Sequence, residues 1–167
     1  MPKLKLIYFD FHGGRGEPAR LALSMRGHRY VGKITDLYPT DAWQAAFCDE
    51  AMEAVEDIST KLAATFFLPE QEKKAQRKAL VDGPLPFYLG RLQQRLEAHG
   101  GRYVAADRLT VADLKVFVWI RHLKSGVLDH IPADLPDRVA PKLVEHYERV
   151  KNDPRVQAYY AKHGVTG

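Results

Sequence analysis

Apolar residues in this chain recur mostly with a helical period. The exception is "KLKLIYF" (residues 3–9), where Leu4 and Leu6 alternate with lysines before the run turns wholly apolar, predicting one strand with a buried end. Gly13, Gly14 and Gly16 then form a turn, Pro18 fits only the first turn of a helix, and "ARLALSM" is a good helix former that stops at Gly27. From Arg29 onward almost every segment reads as helix. Pro39, Thr40 and Asp41 mark a start, after which Phe47, Ala51, Ala54 or Val55, Ile58 and Leu62 fall at three- and four-residue spacing along one long amphipathic helix. A second helix runs from Pro69 through "EQEKKAQRKALVDG", and a third, "LPFYLGRLQQRLEAHGG", lines up Leu85, Leu89, Leu92 and Leu96 before a Gly-Gly stop.

The most fully specified element is "DRLTVADLKVFVWIRHLKSG". Thr110 is placed to cap it, Asp113 three residues later completes a capping-box pair, and Leu109 and Leu114 occupy the hydrophobic-staple positions. Val111, Leu114, Val116, Phe117, Val118, Trp119, Ile120 and Leu123 leave little polar surface, so this helix is expected at the buried centre, organising the fold and carrying no chemistry. "PKLVEHYERVKNDPRVQAYYAKHG" adds an amphipathic helix, a break at Asn152 to Pro154, and a short last helix through Tyr159 and Tyr160. There are no repeats or low-complexity tracts.

Composition narrows the functional classes. Lys and Arg number 25 against 21 Asp and Glu, and a net +4 is too dilute for a nucleic-acid surface. In the densest run, Lys73, Lys74, Arg77 and Lys78 alternate with Glu70 and Glu72 and read as a solvated helical face. One cysteine, Cys48, excludes an internal disulfide and any CxxC pair; its neighbours Asp49 and Glu50 disfavour a thiolate nucleophile. Seven scattered histidines suggest no metal site. No secretory signal and no apolar run of membrane-spanning length is visible, so the expectation is a cytoplasmic protein without membrane contact. "GRGEPA" (residues 14–19) has the GxGxxA form of a dinucleotide loop, with Asp36 as its ribose ligand. Pro18 inside that motif and the helical remainder argue against a parallel sheet.

Taken in order, "YFD", "GGRGEPARL", "YPTDAWQAAFCDEAMEAVEDI", "LPFYLGRL" and "LTVADL" resemble a cytosolic glutathione transferase of the tyrosine type, closest to the sigma-like branch. The resemblance implies a mainly α fold: a glutathione-transferase-like C-terminal helical domain (29–167) preceded by a truncated thioredoxin-like strand-helix remnant (1–28). It also implies glutathione as co-substrate with no other cofactor, a small electrophile as second substrate, and a homodimer. Tyr8 becomes the catalytic residue, its phenol holding the glutathione sulfur as a thiolate; Phe9, Arg15 and Asp57 become glutathione-binding residues, Asp57 by reaching toward the amino group of glutathione in the partner subunit. The chemistry is coherent. A free thiol titrates near about 8.5, and a hydrogen bond to a charged acceptor contributes about 1.5 to 3 kcal/mol, enough to make the thiolate the main form at neutral pH.

The same resemblance exposes a gap. The family's second strand, next helix, cis-proline strand and Gln-Ser helix start have no counterpart here; the chain passes from "LALSMRGH" straight to "RYVGKITDLYP". Those pieces bind the cysteine backbone and γ-glutamyl carboxylate of glutathione. Two readings follow: a transferase impaired by the missing segment, or a non-catalytic, transferase-like dimerisation or binding module.

Overall fold

The computed structural model describes Pro18, Leu21 and residues 36–164. The strand expected at residues 3–9, the glycine turn, Tyr8, Phe9 and Arg15 lie outside the described residues. Among those described there is no strand, and the fold is helical: α1 (Ala42–Ala63), α2 (Glu70–Asp82), α3 (Pro84–Ala98), α4 (Val111–Lys124), α5 (Leu135–Val139), α6 (Pro141–Lys151) and α7 (Pro154–Lys162). Four of them close a ring, α1 packing on α3 and α4, and α6 on α4 and α3 from the other side. The short α5, which the hydrophobic pattern does not announce, wedges against α3, α4 and α6, while α2 leans on α3 and α7 on α6.

Local chemistry sets the boundaries. Asp41 starts α1 by accepting the Gln44 amide at 3.0 Å. The Gly-Gly stop after α3 is a Schellman turn: Gly101 N–H reaches the Leu96 carbonyl at 2.8 Å and Gly100 N–H that of Glu97 at 3.1 Å, with both glycines at positive φ. Leu85, Leu89, Leu92 and Leu96 are all buried, as their stripe requires. On α1 the inward positions are Cys48, Ala51, Val55, Ile58 and Leu62. Phe47, expected in that row, instead lies to one side, where the Arg95 guanidinium covers its ring at 4.5 Å and His99 meets it edge-on at 4.6 Å.

At the centre stands α4, with ten of its residues buried, including the charged Asp113. The capping box with Thr110 is formed, but Asp113 does more than close it. Its Oδ2 accepts both the backbone N–H and the hydroxyl of Thr110 at 2.7 Å. Its Oδ1 accepts the Val104 amide at 2.8 Å, from the loop after α3, and faces His146 Nε2 at 2.8 Å, from α6. His146 is fully buried, and its Nδ1 has no hydrogen-bond partner among the described residues.

The segment entering the bundle is fastened to the same helix end. The first amide of α4, Val111 N–H, donates to the Leu37 carbonyl at 2.8 Å. Arg108 holds the carbonyls of Asp36 and Tyr38, and the Tyr38 hydroxyl donates to Asp49 at 2.7 Å. Leu21 is fully buried within the same core.

One sequence expectation is overturned here. Arg77, read as part of a solvated face, is 2% exposed. Its Nε donates to Thr65 Oγ1 and its Nη1 to the Asp129 carbonyl, each at 2.9 Å, and its guanidinium lies over Phe66. Those acceptors are twelve and fifty-two residues away in sequence, so nothing local to α2 signals that this cation turns inward.

Asp113→Ala strands the Val104 and Thr110 amides and His146 inside the core. The expected loss is about 3 to 5 kcal/mol of unfolding free energy, with a melting temperature lower by on the order of 10 °C. Asp107→Ala, at an exposed position in the preceding loop, should stay within about 0.5 kcal/mol. Denaturant and thermal unfolding followed by circular dichroism measure both; equal effects would refute the hub role of Asp113.

Candidate functional site

Of the residues singled out for glutathione, Asp57 is the one within the described structure. It sits on the exposed side of α1, where Oδ2 accepts the Tyr88 hydroxyl of α3 at 3.3 Å. Partial burial, then the Asp57 charge and this bond, raise the Tyr88 phenol above its ordinary value, so it stays a donor at neutral pH. Oδ1 has no partner among the described residues, and no cation pairs with the carboxylate. A carboxylate fixed through one oxygen and open at the other is suited to accept an ammonium group from outside the chain. Tyr88 is a member of the site that sequence reasoning missed. Its signal was available only as register, because an antiparallel α3 is needed to bring residue 88 beside residue 57.

Tyr8, Phe9 and Arg15 lie outside the described residues, so the geometry bears on Asp57 alone. Asp36, the ribose ligand of the dinucleotide alternative, is in a left-handed turn with φ 59, its carbonyl held by Arg108 and its carboxylate 3.6 Å from that guanidinium. The second strand of that reading, residues 30–36, lies outside the described residues apart from Asp36, but everything described after Asp36 is helical, so the further strands that a parallel sheet requires are absent there. Among the described residues no group of three His, Cys, Asp or Glu could hold a metal ion, and no helix is long and apolar enough to cross a membrane.

Cys48 is buried on the inner side of α1, and its thiol is pushed up to about 11. Burial is the main cause; the Asp113 and Asp49 charges add to it, while hydrogen bonds with Ala112 and Thr110 oppose it. The neighbouring acids are therefore a minor part of why this cysteine is inert, and Glu50, which the sequence also implicates, does not contribute. Folded protein at pH 7.5 should react with a maleimide or an aromatic disulfide at least about 100-fold more slowly than the denatured chain. Labelling of Cys48 at the rate of a free thiol without loss of helix signal would contradict this burial.

Comparison with known proteins places these helices in a family. Residues 56–163 match the family described as "Glutathione S-transferase, C-terminal domain". Among curated proteins, glutathione S-transferase P 10 of Caenorhabditis elegans is 25% identical over 134 residues, covering 80% of this chain and 59% of its own length. A glutathione S-transferase of Anopheles gambiae is 25% identical over 143 residues, 83% of this chain and 66% of its own length. The chain thus spans about half to two thirds of the length of the curated relatives it matches. In fold it is similar to a prostaglandin synthase D of Nilaparvata lugens, with a TM-score of 0.81 at 21% identity over 99% of this chain and 100% of the other. A sigma class transferase of Fasciola hepatica gives 0.74 at 20% identity over 92% and 93%. With well over half of its length matched and its described helices forming the corresponding all-α unit, the chain belongs to the glutathione S-transferase family.

Proposed function

We propose that this protein conjugates the thiolate of glutathione to small electrophiles in the cytoplasm, as a homodimer and with no cofactor beyond glutathione itself. The observation that carries the reading is the family match over residues 56–163, which includes Asp57 on the open side of α1, held by Tyr88 and with one carboxylate oxygen unpartnered among the described residues. In this reading the Tyr8 phenol donates a hydrogen bond to the glutathione sulfur and lowers its pKa, and the thiol proton leaves to solvent. The sulfur lone pair then forms a carbon–sulfur bond while the leaving group departs with the bonding pair. Phe9 and Arg15 contact the tripeptide, and Asp57 takes its ammonium group across the dimer. The relatives' names support a glutathione substrate.

Retention on immobilised glutathione and conjugation of chlorodinitrobenzene test it. Tyr8→Phe should lower kcat/KM by roughly 10- to 100-fold and move the alkaline rise of the pH profile upward toward the free-thiol value of about 8.5. The direction follows from the sign: a donor that stabilises the thiolate depresses its pKa, and removing it lets that pKa return. Asp57→Ala should raise KM for glutathione roughly tenfold with a smaller change in kcat. A folded dimer that neither binds glutathione nor turns over would instead establish a non-catalytic binding module.

A further inference from the structure

A carboxylate on an open helix surface has nothing of its own to hold it in one orientation. Asp57 is exposed on α1, and its own helix offers it Lys61, four residues on, at the spacing and in the acid-then-base order that favour an ion pair. That pair is not formed among the described residues. The carboxylate turns instead toward α3, where the Tyr88 hydroxyl donates to Oδ2 at 3.3 Å. A side chain from a second helix therefore sets how Asp57 stands, and leaves Oδ1 without a partner among the described residues.

The donor is itself held in place. Tyr88 is half-buried, with its ring packed against the apolar core. Phe87 meets that ring edge-on, with centroids 5.5 Å apart and planes at 88°, and the Arg91 guanidinium lies 5.6 Å from the Phe87 ring. A tyrosine has only two side-chain torsions and a planar body, so packing the ring fixes the hydroxyl at small entropic cost. Burial first, then the Asp57 charge and the shared bond, keep the phenol protonated above its ordinary range, so the donor persists at neutral pH and somewhat beyond. Without that hydroxyl, Oδ2 would face water and the Asp57 side chain would be free to turn toward Lys61.

We infer that Tyr88 is a positioning residue and a determinant of thiol specificity: it fixes the Asp57 carboxylate with Oδ1 presented to an ammonium group, so that thiols carrying a free α-amino group are selected over those lacking one. Tyr88 touches neither the sulfur nor the tripeptide in this scheme and acts through Asp57 alone. A carboxylate already oriented binds a cationic donor without first losing its own rotational freedom, which is the gain that preorganisation supplies. The inference deepens the transferase reading above and rests on it.

Steady-state kinetics with glutathione and with its desamino analogue, glutaryl-cysteinylglycine, test it. The wild-type protein should favour glutathione by about tenfold or more in kcat/KM, the usual scale of one charge-assisted hydrogen bond. Y88F and Y88L, which keep an apolar body against the core, should raise KM for glutathione about three- to tenfold with kcat within about twofold, and leave KM for the analogue unchanged. In the D57A background, Y88F should add nothing measurable, because the residue through which it acts is gone. A merely structural role would raise KM for both thiols alike and persist without Asp57. Circular dichroism checks that the variants fold as the wild type does. Glutathione conjugation with unchanged constants in both Tyr88 variants, an equal loss on the two thiols, or an undiminished effect of Y88F in D57A would each overturn the inference and leave the transferase reading standing. A wild-type protein that neither binds nor conjugates glutathione would reject that reading, and this inference with it.

Discussion

A single buried carboxylate organises the helical bundle. Asp113 is taken entirely out of water, which costs several kcal/mol for an unpaired ion, and that cost is met by donors from three places in the chain. Thr110 supplies the helix cap, Val104 the loop leaving α3, and His146 the middle of α6. The amide-rich start of α4 adds a favourable field for negative charge. Because each donor belongs to a different segment, the carboxylate sets where α4 begins and also where α3 ends and α6 lies. The apolar ring of α1, α3, α4 and α6 is then packed around a helix whose position is already fixed.

This arrangement separates structure from chemistry. The titratable groups inside the bundle are committed to holding it together: Asp113 and His146 to each other, Cys48 to a buried site that disfavours its thiolate, Arg77 to Thr65 and Asp129. Tyr38, whose phenol is raised to about 12 chiefly by its bond to Asp49, is likewise a fastening group and not an acid. Asp57, by contrast, is exposed on α1, with its Oδ1 unpartnered among the described residues. A glutathione-binding role therefore requires contributions from beyond the helical bundle, whether from the first part of the chain or from a second protomer.

Much of the helical fold was legible in the sequence because its signals are local. The capping box of α4, the leucine stripe of α3 and the Gly-Gly stop each depend on residues within a few positions of one another and appear as read, and Leu109 and Leu114, the staple positions, are both buried. What escaped depends on distance. Arg77 looks like any lysine-rich surface residue until Asp129 arrives to accept from it, and His146 is a lone histidine until α6 is laid against Asp113. Phe47 is half-buried at the edge of the core while its neighbour Cys48 is buried within it, a difference of one position that periodicity does not resolve. The candidate site was legible mainly through family resemblance: the pattern of α1 alone would have made Asp57 an ordinary helical acid.

The junction at residues 36–38 has a consequence for how such proteins change over time. Arg108 and the Val111 amide grip the carbonyls of Asp36, Leu37 and Tyr38, which are backbone groups that every residue type offers. Apart from the apolar fit of Leu37, the Tyr38 hydroxyl and the Asp36 carboxylate beside Arg108, the bundle asks little of side-chain identity at residues 36–38. A helical unit attached in this way can be inherited intact beneath leading segments of different length and composition, provided that they supply buried residues such as Pro18 and Leu21.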